Sequence, residues 1–451
     1  MKQLKIIITV AFIFSLLGCT SRLSDKKLYN RIKKSVIYEV NVRDYTPQGT
    51  FKAFEKHLPQ LKRLGVDILW IMPVQPIGVK NRKGTLGSPY SVRDYYKINP
   101  LFGTEDDFKH LVQQAHKLGM LVILDWVANH TAWDNPWIKQ HPQWYTHDEN
   151  GKIIPPNPEW TDVADLNYQN PQLRHAMVDA MKYWLKKYDL DGFRCDAANL
   201  VPVSFWDSAR TELEKIKPVF MLAEAEDPGL NCKAFDAYYG WDLYHRMNDV
   251  AAGKANALAL KAAIKRERDR FPKHAMRMIF TSNHDENSWF GSVFERMPNS
   301  YKTFAVFTFV VPDLPLIYNG QEACMHKRLK FFDKDTIPWK QCDMFALYQK
   351  LIALKHSHSA LYGGVERGKM RFVQNTQPQK VLAVYRFNKN DHILSVFNFS
   401  NDTVTFRFKR PFIKGSYTEY FTGNVYKIDT SVQITMLPWK YLVLIKNHSK
   451  N

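Results

Sequence analysis

Short apolar runs alternate with longer amphipathic stretches through about the first three quarters of the chain. VIYEVNV (36–42) reads as a strand. TFKAFEKHLPQLKRLG follows, with Phe51, Phe54, Leu58, Leu61 and Leu64 on one helical face. VDILWIMPV (66–74) predicts a second strand, DDFKHLVQQAHKLG a second helix, and MLVILDWVANH (120–130) a third strand. The alternation continues with a helix near 171–188, a strand at GFRCDAA and a helix near 203–216. Strands VFMLAEAE (219–226) and FDAYYGW, helices near 255–271, and strands MRMIFTSNHDE (276–286) and LPLIYNG (314–320) complete it. Strands alternating with helices imply parallel βαβ units, and about eight of them predict an α/β fold, a (β/α)8 TIM barrel. A doubly wound open sheet is the rival. The polar residues decide, because Asp125, Asn129, His130, Arg194, Asp196, Glu224, His284 and Asp285 fall at the C-terminal ends of several different strands. A barrel brings all those ends to one face, whereas an open sheet spreads them out.

Two regions break the rhythm. Residues 131–170, rich in Pro, Trp and polar residues, read as a loop domain inserted after the third strand; loops this long inside a domain are usually functional. From 366 to 448 the runs KVLAVYRF, HILSVFNFS, TVTFRFKR and YLVLIK are strands without helices, so a C-terminal antiparallel β-sandwich domain follows a barrel spanning 33–365. Trp133, Trp137, Trp144 and Trp160 in the inserted region are sugar platforms or the loop's own small core, and the second reading is favoured for most of them.

The first residues belong to targeting rather than fold. Lys2 and Lys5 precede an apolar stretch, Ile6 to Leu17, that is short for a bilayer span. It ends in LLGC, which resembles a bacterial lipobox. Residues 1–18 then form a lipoprotein signal peptide, Cys19 is lipidated, and 19–32 serve as a tether. The expected product is exported and membrane-anchored, in the periplasm or on the surface of a Gram-negative cell.

Composition narrows the choice of class. With 45% hydrophobic and 14% aromatic residues, the chain is not disordered. Its net charge of +19 could suggest nucleic acid, but the basic residues are scattered and no nucleic-acid module is visible, so a nucleic-acid partner is not expected. Cys195, Cys232, Cys324 and Cys342 have no zinc-ligand spacing; an exported protein could oxidise them, and pairing cannot be read from spacing. Cys195 reads as a small packing residue.

GFRCDAANL (192–200) carries the chemistry. Arg194 and Asp196 sit two apart and so share one face of a strand. Asp196 and Glu224 lie on neighbouring strand ends, and paired carboxylates are what glycoside hydrolysis needs, about 5–5.5 Å apart in retaining enzymes. A guanidinium beside Asp196 is expected to keep it ionised as a nucleophile. Glu224 follows VFMLA, so an apolar environment that raises its pKa is expected to suit it as the acid. A structural ion pair is the competing explanation for such a pair.

The ordered set is more specific. DWVANH, GFRCDAANL, MLAEAE and FTSNHDEN, flanked by GVDILWIMP, ADLNY and PLIYNGQE, resemble the conserved regions of the α-amylase family of glycoside hydrolases, across roughly residues 33 to 445. The resemblance implies that Asp196 is the nucleophile, Glu224 the acid/base, and Asp285 the holder of sugar hydroxyls that stabilises the oxocarbenium-like transition state. It implies substrate contacts from His130 and His284, positioning of Asp196 by Arg194, stacking of Tyr90 on the sugar, and a structural role for Asp125. Calcium is left open: Asn129 and Asp165 match two of its usual ligands, but Asn199 and Leu200 stand where the family often has Lys-His. No organic cofactor is implied. The expected activity is cleavage of α-1,4 bonds in starch-like glucans or maltooligosaccharides. The alternatives are a transglycosylase, an exo-acting α-glucosidase or a cyclomaltodextrinase of the same family and, from a different class, a non-catalytic glycan-binding protein.

Overall fold

The computed structural model describes residues 25–410 and 413–447, so the signal segment and Cys19 lie outside the described residues. Ten strands build the first part of the molecule: β1 Ile37–Val40, β2 Ile68–Ile71, β3 Leu121–Trp126, β4 His130–Ala132, β5 Val163–Asp165, β6 Gly192–Cys195, β7 Phe220–Ala223, β8 Ala237–Tyr239, β9 Met276–Ile279 and β10 Leu314–Tyr318. Eight of them close a parallel barrel in the order β1-β10-β9-β8-β7-β6-β3-β2, as the alternation predicts.

The two-residue period of a strand sorts the side chains. Outward residues such as Tyr38, Leu69, Val122, Phe193 and Met221 pack in the core shared with the surrounding helices. Inward residues near the strand starts, among them Ile37, Ile68, Leu121, Phe220, Met276 and Leu314, fill the barrel. Further along the same inward rows stand Glu39, Asp125, Arg194, Asp196 and Glu224. Each of these strands therefore changes from apolar to charged on its inner face as it nears the C-terminal mouth. At the floor of β6, Gly192 sits at φ +151 and a Cβ there would lie 1.8 Å from the Phe220 carbonyl oxygen, so the close β6–β7 approach admits no side chain.

Three expectations change. Residues 26–32, read as part of a tether, form a helix, Lys26–Ile32, capped by the Asp25 side chain. Its fully buried Ile32 joins the barrel filling beneath Ile37 and Leu314, a burial worth roughly 1.5–3 kcal/mol. The single helix expected at 51–64 is two, Phe51–Glu55 and Leu58–Leu64, because Pro59 suits a helix start and not an interior. The strand expected at 120–130 stops at Trp126, and β4 leaves the barrel to pair antiparallel with β5 of the inserted region.

The C-terminal part is a six-stranded antiparallel sheet facing a two-stranded one, with Val381, Leu394, Phe406, Tyr417 and Ile434 in the core between them. Arg386, on the strand Val381–Phe387, is buried against the barrel and donates to the carbonyls of Val310 and Tyr362. Cys324 and Cys342 are joined in a disulfide, 18 residues apart, and Cys195 is buried as a free thiol.

Candidate active site

Arg194 is the hub of the barrel mouth. It is fully buried, and its Nη1 donates to Asp125 Oδ1 (2.8 Å) and Asp196 Oδ1 (3.0 Å). Its Nη2 lies 2.9 Å from Glu224 Oε1, a Coulombic contact whose N–H is not aligned for a hydrogen bond. Nε donates to Tyr239 Oη at 3.0 Å. Asp125 is held as well by Trp70 Nε1 (3.1 Å) and Tyr90 Oη (3.0 Å), so it works as scaffold for the guanidinium. One arginine thus fixes two carboxylates on neighbouring strands, with Asp196 and Glu224 side by side at the cavity wall.

The electrostatics of Asp196 differ from the sequence expectation. Burial, then the charge of Glu224, push the Asp196 carboxyl well above the usual range, and Arg194 only partly opposes them. The guanidinium therefore does not simply keep Asp196 ionised. Glu224 is not in an apolar pocket; besides Arg194 it accepts a hydrogen bond from the Ala197 N–H at 2.8 Å. The charge of Glu224 thus makes a second negative charge on Asp196 costly.

A second charged cluster centres on His284. His284 places Nδ1 2.5 Å from Glu39 Oε1 and Nε2 3.2 Å from Asp285 Oδ2. Burial disfavours its charge, but Asp285 and Glu39 override this and raise its pKa well above the ordinary histidine value. Burial likewise works against the Asp285 carboxylate, yet His284 holds it below the usual range. The Tyr90 ring stacks on His284 with centroids 5.2 Å apart, and its hydroxyl lies 2.8 Å from His284 Nε2. His130 is buried and pushed down to about 4, so it is a neutral imidazole at working pH. Asp196, Glu224, Asp285, Tyr90, His130 and His284 all line one cavity of about 460 Å³.

Sequence reasoning missed several members of this site. Glu39 orients His284, Tyr239 receives Arg194, and Trp289 makes a side-chain hydrogen bond to Asp285. The inward parity of β1 and β8 was the available signal for the first two. Of the tryptophans in the inserted region, Trp137 and Trp144 pack on each other, while Trp160 reaches the cavity and meets His130 edge-on.

The two residues matched to calcium lie close together, Asn129 just before β4 and Asp165 on β5 opposite His130. Asn129 turns its amide to His130 Nδ1 at 3.3 Å, and the part-buried Asp165 carboxyl is raised by burial. Calcium takes about 6–8 oxygens. Among the described residues, three or more His, Cys, Asp or Glu donors converge only at Cys324, Cys342 and Asp343, where the sulfurs are joined.

A parallel eight-stranded barrel with paired carboxylates, a third acid and a stacking tyrosine at its C-terminal mouth defines a glycoside hydrolase of the barrel class. A family model described as alpha amylase, catalytic domain, matches residues 29–346, and the chain belongs to the α-amylase family. Its structure is similar to that of a noncanonic maltogenic α-amylase from Thermotoga neapolitana, with a TM-score of 0.85 and 34% identity, over 93% of this chain and 100% of that one. An α-amylase from Lactobacillus plantarum gives 0.83 and 30%, over 92% and 100%. The α-amylase MalA of Haloarcula japonica is 28% identical over 391 residues, which span 82% of this chain and 56% of that relative.

Proposed function

We propose that the protein hydrolyses α-1,4-glucosidic bonds of maltooligosaccharides and starch-like glucans with retention of configuration. The observation that carries this reading is the single guanidinium holding Asp196 and Glu224 side by side. That arrangement favours the short carboxyl spacing of about 5–5.5 Å, which leaves no room for an interposed water. Glu224 carries a proton and delivers it to the glycosidic oxygen as that bond breaks. Asp196, ionised once the proton is on Glu224, attacks the anomeric carbon and forms a glycosyl ester. Glu224, now a carboxylate, takes a proton from water, which attacks the same carbon and releases Asp196. Asp285, kept ionised by His284, supports the positive charge developing on the sugar ring, and Tyr90 and His284 give that ring a flat wall.

Proton NMR of the first product from maltoheptaose tests the stereochemistry: the α-anomer is expected, and initial β-anomer would refute retention. Asp196→Asn is expected to lower kcat by at least about 10³-fold with the fold intact. A panel of starch, pullulan, cyclodextrin and maltooligosaccharides separates hydrolysis from transfer, since transfer yields oligomers longer than the substrate.

We propose further that the chain is exported and lipidated at Cys19, on the strength of the LLGC motif behind an apolar stretch. Metabolic labelling with an alkyne-tagged fatty acid is expected to mark the full-length protein and not Cys19→Ala; equal labelling of both would sink the assignment.

A further inference from the structure

Three loops that come from different parts of the chain meet in the wall of the catalytic cavity. Residues 78–91 follow β2, residues 159–163 belong to the inserted region, and residues 331–333 follow β10. Lys83 ties all three together. Its Nζ donates to the Glu159 carbonyl at 2.7 Å, lies 3.3 Å from Asp162 Oδ1, and stands 5.9 Å over the Phe332 ring. The backbone seals the same seam: Leu86 and Gly87 N–H donate to the Phe332 carbonyl, and Thr85 donates to Asp333 through both N–H and hydroxyl. Buried Arg43 clamps it from below by donating to the carbonyls of Gly87 and Phe331. Arg82 stiffens the first loop by donating to the carbonyls of Ile77, Gly78 and Thr85. At Gly84, φ +62, a Cβ would stand 2.5 Å from that of Phe332, so the loops touch without a gap.

The chemistry says which end this is. The acid protonates the leaving oxygen, so the departing sugar lies beside Glu224 and the rest of the glycone runs the other way. The seam joins the side away from Glu224: Phe331 stacks on Tyr90 (6.2 Å, 12°) and faces His284 (6.4 Å), and none of the contacts just named reaches residues 196–200 or 224–231. Tyr90 to Phe331 is 6.2 Å, Phe331 to Phe332 a further 5.1 Å, and Lys83 Nζ stands 5.9 Å from the Phe332 ring, so two phenylalanines link the Tyr90 stacking face to the Lys83 bridge. On the Glu224 side, Leu200 is half exposed.

We infer that the Lys83 bridge makes the cleft blind on its glycone side, so that the enzyme works inward from non-reducing ends and releases a short saccharide, with Lys83 as a specificity-determining residue. The inference rests on the hydrolase reading above and adds to it where along the chain the cut falls. A closed end excludes a glucan that continues past it by steric overlap, which is a stronger discrimination than a lost contact.

The test compares maltoheptaose carrying a chromophore at its reducing end with the same substrate blocked by an ethylidene group on its non-reducing sugar. The blocked chain is expected to be cut at least about 100-fold more slowly, and the unblocked chain to yield short saccharides from its non-reducing end first. Lys83→Ala is expected to raise the blocked-to-unblocked rate ratio by about tenfold, because the seam loses its bridge. Equal rates on the two substrates, or early products from the middle of the chain, would overturn the inference and leave the hydrolase reading intact. Cleavage of neither would overturn both.

Discussion

Glu39 and Asp285 approach His284 from opposite sides, and the imidazole keeps its charge in the barrel only because both are there. Removing one lowers the cost of losing the proton. Glu39→Gln is therefore expected to bring the alkaline fall of kcat/KM to lower pH, since a pKa that was raised by two carboxylates drops when one goes. A pH–rate profile reads this directly, and an unmoved limb would show that the charge on His284 is not needed. Glu224→Gln tests the proton donor by chemistry: activity on a glucan should fall by about 10²–10⁴-fold, while a glycosyl fluoride, whose leaving group needs little proton help, should lose far less in the first step. Residues of this kind differ in how visible they are from sequence. Asp196, Glu224, His284 and Asp285 lie in short strings whose order along the chain is itself informative. Glu39 is one glutamate inside VIYEVNV, and only the inward parity of a closed barrel tells it from a surface residue.

Single elements set the tolerance of this scaffold. Gly192→Ala places a Cβ against the Phe220 carbonyl at a φ few side chains adopt, and neither strand can yield without moving its neighbour. A loss of more than about 3 kcal/mol is expected, seen as a large fall in thermal midpoint or as insoluble protein. The disulfide acts on a different element. Cys324 and Cys342 close the segment that carries Phe331 and Phe332 to the cavity, and Cys342 also caps the helix Asp343–Ser357. Reduction is expected to cost about 3 kcal/mol by the loop-closure argument and to raise KM for short glucans more than it lowers kcat. Melting and kinetics with and without reductant measure both. The elements themselves were largely readable, because amphipathic period and apolar runs mark helices and buried strands. The helix break before Pro59 and the strand end at Trp126 were not, because local turn geometry and pairing with a distant strand decide them.

At the scale of the whole molecule, buried carboxyls outside the cavity tie stability to pH. Glu322 is fully buried, receives Tyr38 Oη and the Gly320 N–H, and is pushed up to about 7 by burial. A carboxyl whose folded pKa lies above its unfolded one costs stability when ionised. That cost is fully present above about pH 7 and is relieved as pH falls toward 4.5. The thermal midpoint of Glu322→Gln should thus change less between about pH 5 and pH 8 than that of the parent, and equal changes would show that Glu322 does not titrate in this window. The eight-stranded closure and the C-terminal sandwich were legible as a rhythm along the sequence. The Lys83 seam was not: its three parts lie far apart in the chain and carry no shared motif, and only folding makes them one wall.

The small helix ending at Ile32 has a consequence of its own. The chain enters the barrel from underneath, so anything that grips its N-terminus grips the floor, and the catalytic mouth looks the opposite way. A load applied through Lys26–Ile32 therefore meets the packed floor of the barrel first and reaches the sugar-binding opening last.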